Sequence, residues 1–283
     1  MSVTCDELLK PIKPVNAETL KRLYSVVGSM PVVLLGAFAR DLIFYHVLGI
    51  EVPRATMDMD ICVQMASWDD FNTAREKLEK LGFTNKREEH PEKFFDANGQ
   101  EVDLLPFGSL SKDGKTITWP QDGSLWTTTG IQEAHDHAWL FRIDKMELRV
   151  IPPCAMIYLK MFAIYDRPDD RKRKDTGDIQ FVLKNYLVVT GGKRLRSDGS
   201  DGDVMELVEG DLELAAARVA GRDMGRILSM ASAEELSEIL RKETVSETWK
   251  PIAQQLANFH KGQFGRARAI LISLRDGFNE VRG

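Results

Sequence analysis

Asp58 and Asp60 stand one residue apart at the head of an otherwise apolar run, Met57-Asp58-Met59-Asp60-Ile61-Cys62-Val63. On a strand, residues i and i+2 point to the same face, so the two carboxylates lie side by side. Like charges placed in this way repel unless a cation lies between them, and a purely structural sheet has no use for the pair. Taken alone, the pattern also suits a solvated pair at a strand edge or a helix N-cap. The preceding residues narrow the choice. Val32 to Leu35 read as a buried strand, Gly36-Ala37 as a small-residue turn, and the residues after it as a helix. The order is therefore strand, turn, helix, then a strand carrying both carboxylates. Such a turn lets backbone N–H groups at a helix N-terminus come close to a triphosphate, and same-face aspartates can hold a divalent metal. These are the parts that metal-dependent phosphoryl transfer needs.

A third carboxylate can be sought independently. Glu101-Val102-Asp103-Leu104-Leu105-Pro106-Phe107 reads as a strand entered through the Asn98-Gly99 turn, and Asp103 is the charge embedded in its apolar part. A buried carboxylate without a partner is costly, so Asp103 should face a cation or the cleft, or else sit at a sheet edge. In the first case it joins Asp58 and Asp60 around metal and serves as general base for an attacking hydroxyl.

These residues resemble the nucleotidyltransferase superfamily of polymerase-beta-like proteins, whose signature is a Gly-Gly or Gly-Ser turn, an Asp-x-Asp or Asp-x-Glu, and a later third acid. Gly36-Ala37-Phe38-Ala39-Arg40-Asp41 is also similar to the Gly-x-x-x-Arg-Asp of tRNA nucleotidyltransferases. Arg54-Ala55-Thr56-Met57-Asp58-Met59-Asp60 resembles the Arg-x-[Ser/Thr]-x-Asp-x-Asp of AbiEii-type nucleotidyltransferase toxins of toxin-antitoxin systems. Further on, Lys160, Arg167, Lys174-Asp175 and Asp178 resemble the later Lys…Arg…Lys-Asp-x-x-Asp motif of those toxins.

The resemblance covers roughly residues 30 to 187. It implies Mg²⁺ or Mn²⁺ as cofactor, held by Asp58, Asp60 and Asp103. It implies a nucleoside triphosphate as donor, with Gly36, Ala37, Arg40, Lys160 and Lys174 as nucleotide-binding residues. The acceptor would be a hydroxyl, with RNA such as tRNA among the candidates. Ala37 departs from the family turn, and the hydroxyl contact that a Ser would give phosphate is absent with it. That departure keeps a non-catalytic nucleotide-sensing or partner-binding module as the alternative. Read from the residues alone, Lys160 can equally be a lysine snorkelling from a mostly apolar helix to a solvated edge. The basic run Arg171 to Lys174 can be a solvated helix start or a contact to triphosphate or RNA backbone.

With 283 residues, of which 43% are hydrophobic, the chain can form one large or two ordinary domains. A net charge of −5 argues against a dedicated nucleic-acid coat protein without excluding a local basic groove. Three widely spaced cysteines, at 5, 62 and 154, fit a reducing cytoplasm. No apolar segment reads as a membrane span or a secretory leader, so a cytoplasmic, unanchored protein is expected.

The pattern predicts an α/β fold: a mixed-sheet nucleotidyltransferase domain over 1-151 and a helical C-terminal domain over 152-283. In the first domain, Asn16 should cap a helix ending near Val27-Gly28, and Ser67 should open another that ends near Leu81-Gly82. Phe83 to Ile151 reads as mostly strand, with turns at Asn98-Gly99, Asp113-Gly114 and Asp122-Gly123. A Gly-, Ser- and charge-rich stretch at about 190-203 reads as a flexible segment. Beyond it, Asp211 to Ala220, Ser232 to Lys242, Thr244 to Phe259 and Phe264 to Asp276 read as amphipathic helices, with Gly221 to Arg226 as a turn whose arginines can reach a substrate. His135-Asp136-His137 lacks a third metal ligand at suitable spacing. Trp119, Trp126 and Trp139 can stack a base, but in a strand region they read first as core or interface residues.

Overall fold

The computed structural model describes residues 4–5, 7–54, 56, 58–85, 90–143, 146–166, 169–245 and 250–282, without the side chains of 166 and 169–171. Ala55, Met57 and Arg167 of the family-like motifs lie outside the described residues. The chain forms two compact units, Met1–Pro152 and Pro153–Gly283. The fold class is α/β, with a mixed sheet in the first unit and helices in the second.

The first unit runs β1 (Thr4–Cys5), α1 (Pro14–Val27), β2 (Val32–Leu35), α2 (Gly36–Asp41), β3 (Asp58–Gln64), α3 (Trp68–Lys80), β4 (Lys93–Phe95), β5 (Glu101–Phe107), β6 (Thr116–Thr118), β7 (Leu125–Thr127), α4 (Ile131–Asp136), β8 (Trp139–Ile143) and β9 (Met146–Val150). Seven strands form one sheet in the order β1-β8-β9-β2-β3-β5-β4, and β6 and β7 pair separately. β3 runs antiparallel to β2 and parallel to β5, which puts the aspartate-bearing strand inside the sheet. One face of β3 and β5 buries Met59, Ile61, Val102 and Leu104. Leu20 and Leu23 of α1, with Phe71 and Leu78 of α3, are buried as well, and burial of this kind stabilises by roughly 1.5–3 kcal/mol per large side chain.

Helix ends follow local chemistry. Ser67 caps α3, accepting from the Asp70 N–H while the Asp70 carboxylate accepts from the Ser67 N–H, a reciprocal box that stabilises the first turn. The expected Asn16 cap is corrected: the N-cap is Lys13, three residues earlier, and α1 begins at Pro14, because proline's fixed φ and missing N–H suit the first helical position. The region read as mostly strand also contains α4, entered through the left-handed Gly130. Trp119 is buried against Trp68 and Phe71, with ring centroids 4.9 and 5.2 Å away, and is part of the core.

The second unit runs α5 (Pro153–Asp166), α6 (Asp169–Lys184), α7 (Tyr186–Thr190), a 3₁₀ turn (Gly192–Leu195), α8 (Val204–Leu207), α9 (Leu212–Ile227), α10 (Met230–Val245), α11 (Pro251–Phe259) and α12 (Phe264–Glu280). Two sequence readings are corrected here. Thr244 to Phe259 is not one helix, since α10 ends at Val245 and Pro251 starts α11. Gly221 to Arg226 is no turn but the interior of α9. Its glycines serve close packing instead: a Cβ on Gly221 would lie 2.0 Å from the Leu274 carbonyl oxygen, and one on Gly277 of α12 would lie 2.0 Å from that of Arg218.

The arginines of that segment are also internally engaged. Arg222 is buried, bonding Asp203 at 2.5 Å and Glu280 at 2.7 Å, and Arg226 pairs with Asp223 at 2.9 Å. Asp201, within the stretch read as a flexible segment, is fully buried and pairs with Arg194 at 2.6 Å. Arg194 in turn bonds Asp223 on α9. The charges of that stretch fasten it to α9, a use that composition alone does not reveal. Among the described residues no helix is long and apolar enough to cross a membrane.

Candidate active site

The geometry is set by strand register. Asp60 lies opposite Leu35 of β2 and Asp103 of β5, and Asp58 lies opposite Glu101. Directly paired residues share a face, so Asp58, Asp60, Glu101 and Asp103 form a patch of acid at the end where β3 and β5 begin. Farther along, the same face becomes apolar through Cys62, Leu105 and Phe107, all buried. Burial, reinforced by Asp60, pushes the Cys62 thiol well above its usual range, so it is an inert packing group.

Gly36 closes one side of the patch. It adopts φ +70°, and a Cβ there would lie 1.8 Å from Asp60 Oδ2. Only glycine lets the start of α2 approach that carboxylate so closely, both for conformation and for space. Ala37, the next residue, is buried. α2 continues as a π-helical stretch over Leu42–Val47. Arg40 is buried in α2, where its guanidinium donates to Asp41 at 2.8 Å and to the Arg54 carbonyl at 3.0 Å. The bond to Arg54 ties α2 to the segment that leads into β3. Thr56, in the same segment, donates its hydroxyl proton to Asp58 Oδ1.

Asp103 has a neighbour that the sequence reading missed. Lys93 of β4 lies directly opposite it, with Nζ 3.1 and 3.0 Å from the two carboxylate oxygens, and also donates to Glu101. Hairpin counting could have found it, because stepping outward from the Asn98-Gly99 turn pairs Phe95 with Glu101 and Lys93 with Asp103. Asp96 anchors that turn by accepting the N–H groups of Asn98 and Gln100 and the hydroxyl of Thr19 on α1.

The electrostatics agree with the crowding. Burial first, and then the negative charge of Asp60, push the Asp103 carboxyl up to about 7 despite Lys93. Among the described residues no group of three acidic, histidine or cysteine side chains closes into a metal cage. Mg²⁺ does not ask for one: it keeps several waters and is held by one or two carboxylates together with substrate phosphates. An all-oxygen donor set in which one carboxylate raises the pKa of its neighbour fits such an ion.

Lys160, Lys174 and their neighbours belong to the second unit. Lys160 Nζ lies 2.6 Å from Asp175 and 2.9 Å from Asp178, and both carboxylates are buried. Burial opposes the Lys160 charge, but Asp178 and Asp175 outweigh it and hold its pKa above the ordinary value. Lys160→Met should leave two adjacent buried carboxylates without this cation and cost about 3–5 kcal/mol. Chemical denaturation would show the loss, and an unchanged midpoint would refute it. Arg173 and Lys174 are exposed on α6. His135 pairs with Asp136 at 2.9 Å, and His137 Nδ1 lies 3.0 Å from the Glu133 carbonyl oxygen, contacts local to α4.

No protein-family model and no curated protein matches the chain. Among solved structures, the solution structure of the antibiotic-resistance factor ANT(2'')-Ia is similar over 56% of this chain and 76% of its own, at 14% identity and a TM-score of 0.34. A CCA-adding enzyme in complex with CTP is similar over 96% of this chain and 70% of its own, at 15% identity and a TM-score of 0.27.

Proposed function

We propose that the chain is a metal-dependent nucleotidyltransferase, moving a nucleoside monophosphate from a nucleoside triphosphate to an acceptor hydroxyl with pyrophosphate leaving. One observation carries the reading: Asp58, Asp60 and Asp103 share a face at one end of β3 and β5, with the glycine turn at Gly36 packed against the Asp60 carboxylate. Asp58 and Asp60 are the metal-holding pair, with Thr56 orienting Asp58. Mg²⁺ or Mn²⁺ bound there would neutralise phosphate charge. Asp103 takes the proton from the acceptor hydroxyl as its oxygen bonds to the α-phosphorus and the bond to pyrophosphate breaks.

RNA, with tRNA as one example, is the acceptor class to try first, supported by the exposed basic residues Arg173 and Lys174. The phosphate-binding roles of Arg40, Lys160 and Lys174, and a toxin-antitoxin setting, rest on the sequence resemblance alone. The non-catalytic alternative is favoured by Ala37, which offers phosphate no hydroxyl.

The test is incubation with each of the four labelled ribonucleoside triphosphates, Mg²⁺ or Mn²⁺, and total RNA or cell extract. Label should enter an acceptor with the unaltered chain and not with a folded Asp60→Asn variant. Equal incorporation by both would reject the assignment. Triphosphate binding without incorporation into any RNA, protein or small-molecule acceptor would favour the sensing module.

A further inference from the structure

We propose that the Lys93 ammonium stands in for a second divalent cation at Asp103, so that this site works with a single metal ion. The inference rests on the nucleotidyltransferase reading and adds to it the metal count and a positioning residue.

Three features of Lys93 support it. Its position is fixed by the sheet, since β4 pairs with β5 in a register that sets Lys93 directly across from Asp103, and the Asp96-anchored turn holds that register. Its ammonium meets both oxygens of Asp103, at 3.0 and 3.1 Å, and reaches Glu101 as well. Bridging two carboxylates and touching both oxygens of one is the placement a cation would take there. Its side chain is 24% exposed, so the charge is partly withdrawn from water and screened less than a surface lysine's.

Charge balance points the same way. The shared face carries Asp58, Asp60, Glu101 and Asp103, and Lys93 places a positive charge on the β5 half, between Glu101 and Asp103. A divalent ion at the β3 half would be held by Asp58 and Asp60, beside Gly36. Each carboxylate oxygen has two lone pairs, so Asp103 can accept from Lys93 and still take the hydroxyl proton. Lys93 acts through Asp103, orienting it and balancing its charge.

The experiment counts metal. Mn²⁺ is titrated into the full chain, followed by electron paramagnetic resonance, in the presence of the α,β-methylene analogue of each ribonucleoside triphosphate in turn. The unaltered chain and Lys93→Arg, which keeps the charge, should each bind a single ion. Lys93→Met should bind a second ion, and its transfer rate should fall about a hundredfold, with part of the loss recovered at high Mn²⁺.

Two ions on the unaltered chain, or an unchanged count and rate in a folded Lys93→Met, would overturn the role of Lys93 and leave the nucleotidyltransferase reading standing. No ion bound to the unaltered chain with any analogue would overturn that reading and this inference with it. If Lys93→Met fails to fold, the count on the unaltered chain and on Lys93→Arg still decides the question.

Discussion

Asp103→Asn should retain metal-dependent triphosphate binding and lose nucleotidyl transfer by about a thousandfold or more. Asn preserves the shape and the bonding reach of the side chain but cannot take a proton from the acceptor hydroxyl. Calorimetry would measure binding and label incorporation would measure transfer. Transfer within tenfold of the unaltered chain would remove Asp103 from the chemistry.

The same variant should have a second, opposite effect on stability. In the folded chain, burial and Asp60 hold the Asp103 carboxyl protonated to about 7, whereas an unfolded aspartate titrates near about 4. Between those values the folded state binds more protons than the unfolded one, so stability falls as pH rises through that window. Removing the titration should leave metal-free Asp103→Asn more stable than the unaltered chain at about pH 8, with little difference at about pH 4. Denaturation midpoints at the two pH values test the sign, and a variant less stable at the higher pH would contradict it.

Gly36→Ala should damage both fold and site. Alanine at φ +70° is strained, at about 1–2 kcal/mol, and its Cβ would lie 1.8 Å from Asp60 Oδ2, so the carboxylate or the turn must move. A displacement on the order of 1 Å at reacting groups costs about a hundredfold in rate. Gly99→Ala is the matched control, because Gly99 has φ +78° but nothing lies within 4 Å of an added Cβ. Gly99→Ala should lose comparable stability and keep transfer, while Gly36→Ala loses both. Equal transfer by the two variants would show that contact with Asp60 is unimportant.

The parts of this geometry that depend on local periodicity were legible in the sequence. A two-residue period dictates that Asp58 and Asp60 share a face, and the capping box at Ser67 and the turn at Asn98-Gly99 are written in adjacent residues. What could not be read depends on partners far along the chain. The pairing of Asp60 with Asp103 follows from a parallel register that no local pattern specifies. Gly221 reads as a turn residue until α12 is seen pressed against it, and Asp201 reads as a solvated loop residue until Arg194 and Arg222 are in place. Lys93 is an intermediate case: its register follows from counting around one hairpin, but its importance appears only when Asp103 is recognised as its neighbour.

The strand order also bears on how the protein can be handled. β1 lies four places from β3 in the sheet, and at about 4.8 Å per strand its edge is roughly 19 Å from the carboxylates. A fluorophore attached within β1 would sit on that outer strand. It is therefore an attachment point distant from the carboxylates within the sheet, whereas a label on the hairpin of β4 and β5 would sit next to Lys93.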